Sequence, residues 1–183
     1  MSWILVRHGM TKGNLEKRYV GSRTDEPLCP EGIAQLAQRQ YPAVQRVYAS
    51  PMRRCLETAA LIWPDLSPEV VPDFRECDFG VFEYHNYAEL NGREGYQAWI
   101  DSGGELPFPG GESRAEFAAR VLAAFRSLPP CPENENCALV VHGGTVMAVM
   151  EATALPHGNY YDFQVKNGSG YILNPDGSYE VIR

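Results

Sequence analysis

Short apolar runs alternate with longer amphipathic stretches along the chain. The apolar runs at residues 3–6 and 138–141 are typical of buried strands. Residues 112–128 place apolar side chains at helical spacing and predict an amphipathic helix. Because strand-like and helix-like segments alternate, the pattern predicts an α/β layer fold.

The remaining elements are predicted from shorter signals. Strands are expected at residues 46–49, 69–71, 162–165 and 170–173, followed by a turn at 174–177 and a last short strand. Helices are expected at residues 30–41, after residue 51 and at 144–153, and the first begins with Pro30 followed by Glu31.

One long segment stands apart from this alternation. Residues 83–111 are predicted as an excursion with short helical pieces and a loop, 102–111, rich in glycine and proline. Loops of that length in a compact domain are usually functional. We therefore expect one domain over residues 1–183, in which the excursion covers the functional site.

Composition narrows the class of partner. The chain has 183 residues and a formal net charge of −7, so an extended basic face for nucleic acid is not expected. A small phosphorylated molecule is compatible, because a few arginines in a cleft can create a local positive potential. The five cysteines form no Cys-x-x-Cys pair, and no signal peptide or membrane-spanning run is recognisable. We expect a cytoplasmic protein with reduced thiols and no membrane partner.

Two strand ends carry the candidate chemistry. Arg7, His8 and Gly9 follow the first strand, and His142 and Gly143 follow the strand at 138–141. In open α/β sheets, ligands bind beyond the carboxyl ends of the strands. A histidine nucleophile with arginines around an anion provides the parts for phosphoryl transfer.

The residues around these histidines occur in six ordered blocks. They are Val6-Arg7-His8-Gly9-x-Thr11-x-x-Asn14, Gly21 to Gly32, Ala49-Ser50-Pro51-x-Arg53-Arg54-Cys55-x-x-Thr58-Ala59, Phe74-Arg75-Glu76-x-x-Phe79-Gly80, Gly110-Gly111-Glu112-Ser113 and Val141-His142-Gly143-Gly144. Together they resemble the histidine phosphatase superfamily, the phosphoglycerate-mutase-like proteins. The resemblance implies a single-domain, three-layer sandwich with a mostly parallel central sheet and helices on both faces.

The resemblance also implies roles for individual residues. His8 would be the nucleophile that becomes phosphorylated, and Glu76 would be the proton donor and then the base. Arg7, Arg54 and His142 would form the phosphate pocket, with Asn14 and the Gly143 N–H as additional donors. No metal and no cofactor are expected.

For some roles in the site, more than one residue is a candidate. Adjacent arginines on a helix cannot both face one pocket. The resemblance to the family favours Arg54, which implies that Arg53 lies at the surface. Asp78 and Glu83 are alternative acids to Glu76. His157 is expected to be peripheral.

The sequence of the excursion and of the residues just before it bears on the identity of the substrate. Residues 82–87 depart from the family pattern, in which a glycine usually follows the position of Glu83. The aromatic residues here and at Tyr96, Trp99 and Phe108 either pack the excursion or form an apolar specificity pocket. Tyr84 and His85 are the residues of this segment that we expect to contact substrate. The segment resembles α-ribazole phosphatases, which implies α-ribazole 5′-phosphate as a candidate substrate.

The sequence is compatible with more than one function. The preferred one is a metal-independent phosphomonoester hydrolase for a small phosphorylated metabolite, and a homodimer is left open. Phosphoglycerate mutase-type transfer is the alternative, with Arg93 as the candidate second anion contact. A catalytically silent phosphate-binding module is also open, whereas a nucleotide-binding domain lacks its Gly-x-Gly-x-x-Gly or P-loop motif.

Overall fold

The centre of the fold is a six-stranded sheet. The computed structural model describes residues 1–93 and 95–182, so Glu94 and Arg183 lie outside the described residues. The strands are β1 (Ser2–Arg7), β2 (Arg46–Ala49), β3 (Glu69–Val70), β4 (Asn136–Val141), β5 (Gly170–Leu173) and β6 (Tyr179–Ile182), in the order β3-β2-β4-β1-β5-β6. The first four strands in this order pair in parallel, and β5 pairs antiparallel with both β1 and β6. The predicted mostly parallel sheet is confirmed.

Helices connect the strands. They are α1 (Lys12–Leu15), α2 (Pro30–Ala37), α3 (Arg53–Ile62), α4 (Tyr87–Leu90), α5 (Tyr96–Asp101), α6 (Arg114–Ser127) and α7 (Gly143–Thr153). Short 3₁₀ helices occupy Pro72–Phe74, Gly80–Phe82 and Tyr160–Phe163.

The alternation of side chains along β1 and β4 separates two apolar cores. Ile4 and Ala138 pack with Ala59 of α3 on one face. Leu5 and Leu139 belong to the core on the other face, to which α6 and α7 contribute. Successive strand residues point to opposite faces, so a central strand buried on both sides is apolar throughout. The three-layer sandwich with helices on both faces is confirmed.

The strand predicted at 162–165 is wrong. These residues belong to the 3₁₀ helix Tyr160–Phe163 and the extended chain after it. The Asp162 carboxylate accepts the Asn159 N–H at 2.8 Å, and the Glu151 carboxylate accepts the Tyr160 N–H at 3.0 Å. Local capping by these side chains favours a helical turn over strand pairing.

Two predicted helix boundaries also differ. The helix expected at 30–41 ends at Ala37, with Gln38 as its C-cap, and Pro42 disfavours helical conformation only in the residue directly before it. The helix expected at 112–128 begins at Arg114, since Ser113 is its N-cap and forms a capping box with Glu116.

The excursion contains the short helices α4 and α5 and the loop at 102–111; its residue 94 is outside the described part. Trp99 of the excursion packs against the buried Tyr96 and Phe108, and all three contact the buried Phe82 directly before it. The segment therefore has an aromatic core of its own, continuous with the core that contains α6 and α7.

Candidate active site

The register between β1 and β4 brings the two predicted histidines together. Arg7 lies opposite Val141 in the parallel ladder, and the His8 N–H donates to the Val141 carbonyl at 2.8 Å. The rings of His8 and His142 are 5.2 Å apart between centroids, at an interplanar angle of 67°. Both histidines are buried at the carboxyl edge of the sheet.

The hydrogen bonds of His8 define which of its ring nitrogens keeps a free lone pair. Its Nδ1 lies 2.7 Å from the Gly9 carbonyl oxygen, which can only accept, so Nδ1 carries the proton. The Gly9 N–H in turn donates to the Thr58 hydroxyl at 2.9 Å. Burial lowers the pKa of His8 well below its usual value, and the charges of Arg54 and Arg7 lower it further. His8 is therefore a neutral imidazole whose Nε2 keeps its lone pair.

His142 is oriented by residues of the arginine block. Its Nε2 lies 2.7 Å from the Ser50 hydroxyl, and its Nδ1 lies 3.4 Å from Arg54 Nη2. Because Arg54 can only donate, Nδ1 is the acceptor and Nε2 carries the proton. Burial, followed by the charge of Arg54, lowers the pKa of His142 well below its usual value. No role was assigned to Ser50 or Thr58 from sequence, although both lie in that block.

Two arginines converge on the histidines. Arg7 Nη1 donates to the Val165 carbonyl at 2.8 Å, and Arg54 donates to the carbonyls of Thr24 and Gly21 at 2.8 and 3.1 Å. The Nε atoms of both are buried without a hydrogen-bond partner among residues 1–93 and 95–182. A buried donor without a partner is costly, so these N–H groups favour a bound anion.

Arg53 and Arg54 separate as the helical spacing predicts. Arg54 is fully buried, whereas Arg53 is exposed and pairs with Glu57 at 2.7 Å. Arg54 is thus the arginine of this pair that lies in the site.

Glu76 is the carboxyl group that the structure brings to the histidines. It is 8% exposed, and its Oε2 lies 3.7 Å from His142 Nδ1. Burial raises the pKa of Glu76, although the Cys77 N–H at 2.9 Å and the nearby arginines act in the opposite direction. A raised pKa keeps the carboxyl protonated at higher pH and suits it to donate a proton.

The two rival acids are engaged elsewhere. Asp78 pairs with Arg23 at 2.7 Å, and Glu83 Oε1 accepts the Gly21 N–H at 2.9 Å. Among the described residues, the cavity beside Arg7 is lined by Glu76 but by neither of these carboxylates.

The N-terminus of α7 adds backbone donors. His142 is its N-cap, without a side-chain cap hydrogen bond in the described chain, and Gly143 is its first residue. A Cβ on Gly143 would lie 3.4 Å from Arg7 Nε. The first turn of a helix presents unpaired N–H groups and a partial positive charge, both of which favour an anion.

An aromatic cavity of about 330 Å³ adjoins these groups. Its lining includes Arg7, Glu76 and Gly143. Much of the remaining lining is aromatic and includes Tyr19, Phe79, Trp99, Phe108, Tyr160 and Tyr161. Trp99 and Phe108 come from the excursion. Tyr19 and the two tyrosines after α7 lie outside the six blocks, and Phe79 lies in the block that contains Glu76, but none of them is predicted as a site residue from sequence.

Asn14 has a structural role. Its Oδ1 accepts the Thr11 N–H at 3.2 Å, as part of a capping box for α1, and the Asn167 amide at 3.1 Å. It does not line the aromatic cavity in the described chain.

Tyr84 and His85 are not brought to the site. Tyr84 has a left-handed backbone (φ 60°), and its hydroxyl donates to Glu26 at 3.2 Å. His85 Nδ1 lies 2.9 Å from the Glu83 carbonyl, and its Nε2 accepts from Arg93 at 3.2 Å. Neither side chain lines the cavity within residues 1–93 and 95–182.

The second cation of the cavity is Arg114 rather than Arg93. Arg114 lines the cavity, stacks over the Tyr160 ring at 5.5 Å and forms an ion pair with Glu105 of the loop at 102–111. Arg93 is instead held by His85.

Neither a cluster of metal-binding side chains nor a membrane-spanning helix is found in the described part of the chain. Within it, no group of three or more histidine, cysteine or acidic side chains is arranged to hold a metal ion. None of the helices found there is long and apolar enough to cross a membrane.

The geometry defines an anion-binding pocket that contains a neutral histidine and a buried carboxyl group. The profile of the histidine phosphatase superfamily (branch 1) matches residues 3–183, and the chain belongs to this superfamily.

Relatives carry two kinds of activity in their names. The "Probable phosphoglycerate mutase GpmB" of Proteus mirabilis (strain HI4320) is 36% identical over 76% of this chain and 68% of its own length. The "Adenosylcobalamin/alpha-ribazole phosphatase" of Escherichia coli (strain K12) is 25% identical over 98% of this chain and 92% of its own. The crystal structure of phosphoglycerate mutase from Thermus thermophilus has a TM-score of 0.78 and 30% identity, covering 100% of this chain and 99% of its own. Similarity alone therefore leaves mutase and phosphatase as the two classes.

The raised pKa of Glu76 predicts a stability effect. A carboxyl group whose pKa is raised on folding stabilises the folded state fully when the pH is below its unfolded-state pKa. This stabilisation is lost as the pH rises through its folded-state pKa. We expect Glu76→Gln to be more stable than the wild type at pH 8, by a margin that shrinks as pH falls. Thermal melts between pH 5 and 8 measure the margin.

Glu180→Gln, at an exposed position of β6, is the control and should show no such trend. A Glu76→Gln variant that is less stable than the wild type at pH 8 would contradict the argument.

Proposed function

We propose that this protein hydrolyses phosphate monoesters through a phosphohistidine at His8. The observation that carries the proposal is the convergence of the free Nε2 of His8 with two buried guanidinium groups whose Nε atoms lack partners in the described chain. The start of α7 adds backbone N–H donors and a partial positive charge for the phosphoryl group, and Arg54 holds the neutral His142 beside them. Phosphoryl transfer depends mainly on such positioning and charge stabilisation.

In the first step, His8 Nε2 attacks phosphorus and the bond from phosphorus to the leaving oxygen breaks. Glu76 gives its proton to that oxygen, so the leaving group departs as a neutral alcohol. Arg7 and Arg54 stabilise the negative charge on the non-bridging oxygens. The positive charge that forms on the imidazole is stabilised by the Nδ1–H hydrogen bond to the Gly9 carbonyl.

In the second step, water replaces the leaving group. The Glu76 carboxylate accepts a proton from the water, whose oxygen attacks phosphorus while the P–N bond breaks. Inorganic phosphate leaves, and His8 returns to its neutral form. Glu76 has regained its proton, so the cycle closes with one water consumed.

The leaving group would lie in the aromatic cavity. Arg7 borders that cavity and also a second cleft, which is lined by Met10, Gln35 and Lys166 among others. Glu76 lines the aromatic cavity but not the cleft, and the acid must reach the leaving oxygen. A flat, largely apolar leaving group therefore suits the site best.

Hydrolysis is favoured over mutase transfer by the charge of this cavity. A phosphoglycerate has a carboxylate, and the cation available for it is Arg114, which is already paired with Glu105. The candidate substrate α-ribazole 5′-phosphate has a flat base instead, and the Escherichia coli relative is named for that activity. The presence of Arg114 in the cavity also keeps a mutase as the second candidate function.

The nucleophile is tested by His8→Ala. Because the covalent step needs Nε2, we expect kcat/KM for a generic phosphate ester to fall by about 10³-fold or more. The exposed His157→Ala is the matched control and should keep wild-type activity. Normal hydrolysis by His8→Ala would disprove the mechanism.

The acid is tested by Glu76→Ala on two substrates. Unactivated alkyl phosphates need a protonated leaving oxygen, and we expect their kcat to fall by about 10²-fold or more. p-Nitrophenyl phosphate has a stable leaving anion and should lose much less. Equal losses on both substrates would remove Glu76 as the general acid.

The substrate class is tested with a panel that contains α-ribazole 5′-phosphate, sugar phosphates and 3-phosphoglycerate. The aromatic cavity predicts the highest kcat/KM for α-ribazole 5′-phosphate and release of phosphate rather than its transfer. No advantage over sugar phosphates would discard this substrate. Conversion of 3-phosphoglycerate to 2-phosphoglycerate would favour the mutase.

A further inference from the structure

A bidentate ion pair lies beside the segment that carries Glu76. Arg120 of α6 donates from Nε to Glu112 Oε1 at 2.8 Å and from Nη2 to Oε2 at 2.7 Å. The two side chains are only 12% and 20% exposed. Paired N–H···O bonds between a guanidinium and a carboxylate fix the relative orientation of both groups.

Arg120 also holds the backbone on the N-terminal side of Glu76. Its Nη1 donates to the carbonyls of Asp73 and Arg75, at 2.7 and 3.0 Å. Its Nη2 lies 3.5 Å from the carbonyl of Glu76 itself. The guanidinium group thus contacts the chain directly before the carboxyl group that the proposed reaction uses.

Glu112 holds the backbone on the C-terminal side. Its Oε2 accepts the Asp78 N–H at 2.9 Å, and its own N–H donates to the Asp78 carbonyl at 2.9 Å. Gly111 packs so closely here that a Cβ would lie 2.2 Å from the Asp78 carbonyl oxygen. The ion pair therefore connects α6 to the chain before and after Glu76.

The segment needs such support. Residues 75–79 form neither helix nor strand, so no regular hydrogen-bond ladder fixes their backbone. A displacement of about 1 Å in a catalytic group can cost about 10²-fold in rate. The position of the Glu76 carboxyl therefore depends on side-chain hydrogen bonds to this segment.

We propose that Arg120 and Glu112 are positioning residues that hold the Glu76 carboxyl at the leaving-group oxygen. The inference rests on the proposed role of Glu76 as the general acid. It assigns a function in proton transfer to an ion pair that does not touch the phosphoryl group.

The test compares Arg120→Lys and Glu112→Gln with Arg126→Lys, at an exposed position of the same helix. Lysine keeps the charge of Arg120 but lacks the planar fork that joins Glu112 to the backbone carbonyls. We expect Arg120→Lys and Glu112→Gln each to lower kcat on an alkyl phosphate by about 10-fold or more, and on p-nitrophenyl phosphate by less than about 3-fold. Arg126→Lys should behave as the wild type, and inhibition by inorganic phosphate should be unchanged in all three.

A merely structural role would lower both activities by the same factor or weaken inhibition by phosphate, and either result overturns the proposal. Wild-type activity in both variants overturns it as well. Thermal melts establish that each variant is folded, and Glu112→Gln decides the question if Arg120→Lys does not fold. If Glu76→Ala itself shows no dependence on the leaving group, the proposed role of Glu76 as the general acid fails. If Glu76→Ala shows this dependence and these variants do not, only the positioning role fails.

Discussion

The site depends on the pairing of β1 with β4. These strands lie side by side and in parallel, with Arg7 opposite Val141. The residue that follows each strand is a histidine, so both histidines lie at the carboxyl edge of the sheet. A shift of one residue in this register would exchange the side chains that β1 presents to its two apolar cores. The apolar packing that fixes the register therefore also fixes the distance between the two rings.

Burial then determines the charge states around this pair. Removal from water disfavours the charged form of every titratable group, so it lowers the pKa of both histidines and raises that of Glu76. A neutral nucleophile and a protonated acid are the two forms that the proposed first step requires. The same low-dielectric surroundings strengthen the interaction of Arg54 with a phosphoryl group.

The strand-end histidines could be predicted from sequence because short apolar runs locate strands and the ends of parallel strands share an edge. The choice of Arg54 over Arg53 followed from helical geometry together with the family pattern. Contacts between distant segments left no such signal: Ser50 orients His142, and Tyr160 lines the cavity. Tyr84 and His85, which were expected to contact substrate, are instead hydrogen-bonded to Glu26 and Arg93, and a local pattern does not reveal these contacts.

The central claim is that a phosphoryl group is carried by the Nε2 atom of His8. The direct measurement is to mix the protein with an excess of a phosphate monoester, quench in alkali, and locate the label by peptide mass spectrometry and ³¹P NMR. The structure predicts one acid-labile phosphoryl group on His8, with the chemical shift of an Nε2-linked phosphoimidazole, since Nδ1 is held by the Gly9 carbonyl. Phosphate attached at Nδ1 or at another residue, or turnover with no labelled protein at any time, would contradict the account.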